Sequence, residues 1–160
     1  MQDARPQTVL IVDDEPMVTT SLQSFLELET PYRVLIFTDP RQALELDLDA
    51  ENVYVVISDF MMPEMDGITF LKAMRDKRPQ ATRILLTGYA DKENAIRAIN
   101  EAGLYYYLEK PWNNEHLRLI IRNSVERSAL FLELDSRVSA LEGANEELLD
   151  MRRRLFKAFL

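Results

Sequence analysis

The sequence predicts a doubly wound α/β fold. Its core is a five-stranded parallel sheet in the flavodoxin-like order 2-1-3-4-5, and an extended C-terminal helix follows. Three observations predict it. Short unbroken apolar runs, at residues 8–12 and 53–57, read as strands buried on both faces, which is the habit of parallel sheets. Strand and helix patterns alternate five times with short connections, and right-handed crossovers then place helices on both sides of the sheet. Several apolar runs also stop abruptly at polar residues, and in open parallel sheets ligands bind outside the carboxyl ends of the strands.

The elements follow in order. Residues 8–12, Thr-Val-Leu-Ile-Val, make a strand ending at Asp13, Asp14 and Glu15. Pro16 fits the first turn of a helix, where its missing N–H costs little. Val18, Leu22, Phe25, Leu26 and Leu28 give that helix an apolar face, and Pro31 ends it. Residues 33–37 are a second strand. Asp39 caps a helix that starts at Pro40 and carries Ala43, Leu44, Leu46 and Leu48. The third strand, residues 53–57, runs out just before Asp59 and a loop with Pro63 and Gly67. Asp66 caps a helix holding Ile68, Phe70, Leu71 and Met74, which stops before Pro79. Residues 83–86 form a fourth strand leading into Thr87 and Gly88. Asp91 opens a helix with Ala95, Ile96, Ile99 and Ala102, closed by Gly103. A fifth strand, residues 104–108, ends in Glu109, Lys110 and Pro111, and a long helix starts near Asn113 or Asn114.

Composition narrows the function. The chain has 160 residues, 47% of them hydrophobic, enough for one domain with a core plus an extension. There is no cysteine, which removes thiol chemistry and suits a cytoplasmic location. No apolar run approaches the roughly 20 residues needed to span a bilayer, and the N-terminus lacks a signal peptide's apolar core. A net charge of −8 argues against direct nucleic-acid binding. The one basic cluster, residues 152–154, reads as a solvated helix face.

Four strand ends supply polar groups to one edge: Asp13 and Asp14, Asp59, Thr87, and Lys110. Three crowded carboxylates resist ionising together, and a hard divalent cation such as Mg²⁺ removes that cost. The lysine adds a second positive charge and the threonine a hydroxyl donor. Together they describe a site for a phosphoryl group in transfer, with a carboxylate as nucleophile. His116, the only histidine, falls just inside the last helix and reads as a surface residue, and Trp112 as packing the start of that helix.

The segments Val-Asp-Asp-Glu at 12–15, Ser-Asp-Phe-Met-Met-Pro-Glu-Met-Asp-Gly at 58–67, Leu-Thr-Gly at 86–88 and Tyr-Leu-Glu-Lys-Pro-Trp at 107–112 resemble the receiver domain of two-component response regulators. The resemblance covers about residues 7–125. It implies that Asp59 accepts a phosphoryl group from a sensor histidine kinase. It implies that Asp14, Asp59 and the backbone carbonyl of Met61 bind Mg²⁺ directly, with Asp13 helping through water. Lys110 would contact the phosphoryl group, Thr87 would swing toward it, and Tyr107 would turn inward behind Thr87 as the aromatic switch residue. The Lys110–Pro111 bond is expected to be cis. Met61 and Tyr89 hold positions that flank the path of hydrolytic water in the family. Their bulk would slow loss of the phosphoryl group, or they are ordinary rim residues.

The last helix shows no stop at the usual domain end. Leu117, Ile120, Ile121 and Val125 would cover the sheet, so the receiver is expected over residues 1–125 and a coiled-coil dimerisation or linker helix over 126–160. Leu134, Leu141, Leu148 and Leu155 recur every seven residues, interleaved with Phe131, Val138, Asn145, Arg152 and Phe159. Leucine at one seam position, with a β-branched residue and an asparagine at the other, favours a parallel homodimer. Arg152 weakens that seam, and Gly143 costs about 1 kcal/mol of helix propensity. The heptads run to the end of the sequence, which fits either a piece of a longer regulator with an output domain beyond, or a protein whose output is the dimer itself. Two rivals remain. One is a Mg²⁺-dependent phosphohydrolase of the haloacid dehalogenase type, which needs its nucleophile at the end of the first strand and a second aspartate two residues on, where Glu15 stands. The other is an inert receiver serving as a coiled-coil adaptor.

Overall fold

In the computed structural model, residues 5–88 and 92–159 are described. Ten elements follow one another: β1 (Thr8–Val12), α1 (Pro16–Glu29), β2 (Arg33–Phe37), α2 (Pro40–Ala43), β3 (Val53–Asp59), α3 (Gly67–Lys77), β4 (Thr82–Thr87), α4 (Lys92–Ala102), β5 (Tyr106–Glu109) and α5 (Asn114–Phe159). The sheet is parallel throughout, in the order β2-β1-β3-β4-β5, as expected.

Alternation along each strand builds two cores. Leu10, Val12, Val56 and Leu85 join Phe70, Leu71 and Met74 of α3 on one face. Val9, Ile11, Val55, Ile57, Ile84 and Leu86 join Leu22 and Leu26 of α1 and Leu117, Ile120, Ile121 and Val125 of α5 on the other. Each fully buried leucine or isoleucine contributes about 1.5–3 kcal/mol, so both faces of the sheet are held down by apolar burial.

Local signals act as the sequence suggests. Asp39 accepts from the Arg41 amide and Asp66 from the Thr69 amide, capping α2 and α3. The Asn113 side chain accepts from the His116 amide at the start of α5. Gly103 closes α4 at φ +61°, a conformation that suits glycine. The Lys110–Pro111 bond is cis. His116 is exposed and lies 3.1 Å from the Tyr106 hydroxyl, while Trp112 is half-buried against the α1/α5 core.

Several expectations are corrected. Leu28 is 83% exposed and is no part of the buried face of α1. The second helix stops at Ala43. Leu44, Leu46 and Leu48 follow it in turns, yet all three still pack against the core, so the apolar spacing reported burial rather than helix. The fifth strand starts at Tyr106 instead of Leu104. The third and fourth strands run on through Asp59 and Thr87, so both polar residues are the last members of strands. Asp91 and Tyr89 lie outside the described residues. On α4, Ile96 is exposed.

The chain divides into two compact units, residues 1–128 and 129–160. The second is helical to Phe159, and Leu134, Val138, Leu141, Leu148 and Leu155, which recur at heptad spacing, are exposed in the single chain. Among the described residues no helix is long and apolar enough to cross a membrane.

Candidate functional site

The sheet order puts β1 and β3 side by side, with Val12 opposite Ser58. The next residue on each, Asp13 and Asp59, therefore emerges at the same edge. Asp13 is fully buried. Its amide is held by the Phe37 carbonyl, and its Oδ1 accepts from the Glu15 amide at 2.9 Å, a turn that aims its other oxygen into the site. Asp14 is half-buried and Glu15 exposed. Carboxylate oxygens of Asp13, Asp14 and Asp59 all lie within 4.8 Å of one another.

Asp59 is 7% exposed. Its Oδ1 accepts from its neighbour's amide, Phe60, at 2.9 Å. Phe60 also donates to the Leu86 carbonyl of β4 and accepts from Gly67, which folds the following loop back over the strand end. Gly67 is required there: a Cβ on it would stand 2.1 Å from the Asp59 carbonyl oxygen.

Lys110 closes the site from β5. Its amide donates to the Thr87 carbonyl at 2.8 Å, fixing the strand end. Its Nζ reaches Asp13 Oδ2 at 2.8 Å and Asp59 Oδ1 at 3.2 Å. Burial works to lower the Lys110 pKa, but the two carboxylates outweigh it and hold it above the ordinary lysine range. Asp59 is pushed up to about 6, first by burial, then by the negative charge of Asp13, against the pull of Lys110. One lysine does not compensate three acids, and the excess negative charge is stored at the strand ends.

Thr87 follows Leu86, the β4 partner of Asp59, and is fully buried. Its hydroxyl finds no hydrogen-bond partner among the described residues. A buried hydroxyl left unpaired costs free energy, so a ligand oxygen brought to this edge would be favoured. Tyr107 is half-buried on the α3 side of the sheet, its ring 6.1 Å from that of Tyr106. Met61 is 64% exposed beside the loop.

The donor set is all oxygen and strongly anionic. It fits a hard divalent cation such as Mg²⁺, with room in the coordination shell for phosphate oxygens and water. The structure thus brings Asp13, Asp14, Asp59 and Lys110 into one site, with Thr87 at the adjoining strand end. Sequence reasoning missed Gly67, treated only as part of a loop, and Arg83, a 7%-exposed cation on β4. Arg83 donates to the carbonyls of Ala81, Ala102 and Gly103, gripping the C-terminal end of α4. The signal for Arg83 was a charge inside an apolar strand.

The model of the response regulator receiver domain matches residues 9–122, and the chain belongs to that family. It is 40% identical over 123 residues to the hydrogenase transcriptional regulatory protein HoxA of Cupriavidus necator, covering 77% of this chain and 25% of HoxA. It is 30% identical over 154 residues to the response regulator Rre1 of Synechocystis, covering 95% of this chain and 66% of Rre1. The chain therefore spans between a quarter and two thirds of these curated relatives. Among solved structures it superposes on the signal receiver domain of an HD domain-containing protein from Pseudomonas fluorescens with a TM-score of 0.75 and 37% identity, covering 83% of this chain and 96% of that one. Membership sets the haloacid-dehalogenase reading of these residues aside: they form a response-regulator receiver domain.

Proposed function

We propose that this chain is a phosphorylation-dependent switch in which Asp59 takes a phosphoryl group from the phosphohistidine of a sensor histidine kinase. The observation that carries it is the convergence of three carboxylates within 4.8 Å, two of them bridged by Lys110. In the transfer, an Asp59 carboxylate oxygen forms the new bond to phosphorus as the phosphorus–nitrogen bond to the histidine breaks, and the imidazole leaves with the electron pair. Asp13, Asp14, Asp59 and the Met61 carbonyl would hold Mg²⁺. When bound, the cation neutralises the charge that gathers on the transferring oxygens. Lys110, released from part of its pairing with Asp59, would turn to a phosphoryl oxygen.

Phosphorylation adds charge and acceptor oxygens where a carboxylate stood. The buried Thr87 hydroxyl gains a phosphoryl oxygen as partner, and its movement frees space for the Tyr107 ring. The two packings differ in free energy only by what these groups gain, and that difference is the signal. The exposed heptad seam of residues 126–160 supports a homodimer through a parallel coiled coil as the element receiving it. The exposed Met61 side chain supports a role at the rim of the site, where its bulk would hinder hydrolytic water.

The test pairs two readouts on the same sample. With acetyl phosphate and Mg²⁺ the intact protein gains the mass of one phosphoryl group, and sedimentation shows the dimer fraction changing with it. Mass gain without any change in association would remove the dimer as output. No mass gain would remove the switch.

A further inference from the structure

Where α5 passes the amino ends of β3 and β4, its buried stripe changes from apolar to hydroxyl. Leu117, Ile120, Ile121 and Val125 share the stripe with Ser124 and Ser128, which lie toward its far end and are both fully buried. Ser128 Oγ accepts from the Thr82 amide at 3.0 Å and donates to the Tyr54 carbonyl at 2.6 Å. Thr82 Oγ1 lies 2.7 Å from Ser128 Oγ and donates to the Ser124 carbonyl at 3.1 Å. The register makes this more than a surface contact. Val55 faces Thr82, and the Phe60 amide donates to the Leu86 carbonyl. Stepping back along that parallel ladder by twos, the Thr82 amide points at the Tyr54 carbonyl. Ser128 Oγ therefore touches both groups of one rung of the sheet, accepting from the amide of one strand and donating to the carbonyl of the other.

We infer that Ser128 and Thr82 are a positioning pair that ties β4 to α5. The inference rests on α5 being the path of output. Thr82 and Thr87 are the two ends of one six-residue strand. A displacement of β4 that begins at Thr87 reaches α5 through Ser128, without passing through α4 or β5. An alanine at 128 would pack equally well at this depth but could neither accept nor donate, so strand and helix would move separately.

Site-resolved amide exchange on the full chain tests the tie in the resting protein. Ser128→Ala and Thr82→Val are expected to speed exchange at the Thr82 amide and over residues 124–132 by about five- to tenfold, the loss of one or two hydrogen bonds. Thr82→Ser, which keeps the hydroxyl, is expected to match wild type, and the amides of Leu10 and Ile11 are expected not to respond. Unchanged rates, or an equal acceleration across the whole sheet, would overturn the pair as a positioning device. A second arm adds beryllofluoride with Mg²⁺. In wild type the amide resonances of Phe60 and of residues 126–134 shift. In Ser128→Ala the Phe60 shift persists and the helix shift is lost. A helix shift retained in Ser128→Ala overturns the coupling. Silence at Phe60 in wild type instead defeats the phosphoacceptor reading, and the exchange arm then decides the Ser128–Thr82 tie by itself.

Discussion

Gly67 lies so close to Asp59 that a Cβ on the glycine would stand 2.1 Å from the aspartate's carbonyl oxygen. The acidic residue expected to do the chemistry is thus braced by the backbone of the first residue of α3. Gly67→Ala is expected to push the loop off the strand end, costing about 1–3 kcal/mol of stability as an overpacked core site does. Gly143 is the control, since a Cβ there meets nothing within 4 Å. Gly143→Ala is expected to stabilise its helix by up to about 1 kcal/mol. Denaturant melts of the two variants, measured together, check the opposite signs.

The elevated pKa of Asp59, about 6, gives a pH dependence with a definite sign. Its folded value exceeds its unfolded one, so the folded state binds the proton more tightly. In the metal-free protein a destabilising contribution develops as pH rises from about 4 to about 6. Asp59→Asn is therefore expected to be more stable than wild type at pH 8, and to lose that advantage at pH 4. Paired melts at the two pH values decide it.

The same proton competes with a cation. Mg²⁺ affinity is expected to fall as pH drops below about 6, approaching tenfold per unit if one proton is displaced, and to level off above pH 7. Calorimetric titration across that range measures the slope.

The Thr87 hydroxyl is buried without a hydrogen-bond partner among the described residues. Thr87→Val keeps the shape and deletes the orphan, so resting stability is expected to hold or to rise by about 1 kcal/mol. Binding of beryllofluoride is expected to weaken, because the hydroxyl is then missing when a partner arrives. Melts and a fluorine resonance titration separate the two effects.

Much of this was legible in the sequence, and unevenly so. The strands were, because a run such as 53–57 is too short for a helix and too apolar for an exposed strand. Asp13, Asp14, Asp59, Thr87 and Lys110 stood out because polar residues at the ends of such runs converge once the strand order is known. Leu44, Leu46 and Leu48 misled. Their apolar character was obeyed by burial in turns, and nothing local distinguishes a buried turn from a helix. Leu28 misled the other way, its spacing fitting α1 while no core lies opposite it. Ser128 and Gly67 were illegible, because their importance lies in what another segment's backbone does at that point.

The most direct measurement is chemical mapping of the acceptor. After incubation with acetyl phosphate and Mg²⁺, borohydride reduces an aspartyl phosphate to homoserine, and peptide masses locate it. Asp59 as phosphoacceptor predicts homoserine at position 59 alone, and none in Asp59→Asn. Homoserine at Asp13 or Asp14 instead, or none anywhere in the wild-type chain, would contradict it.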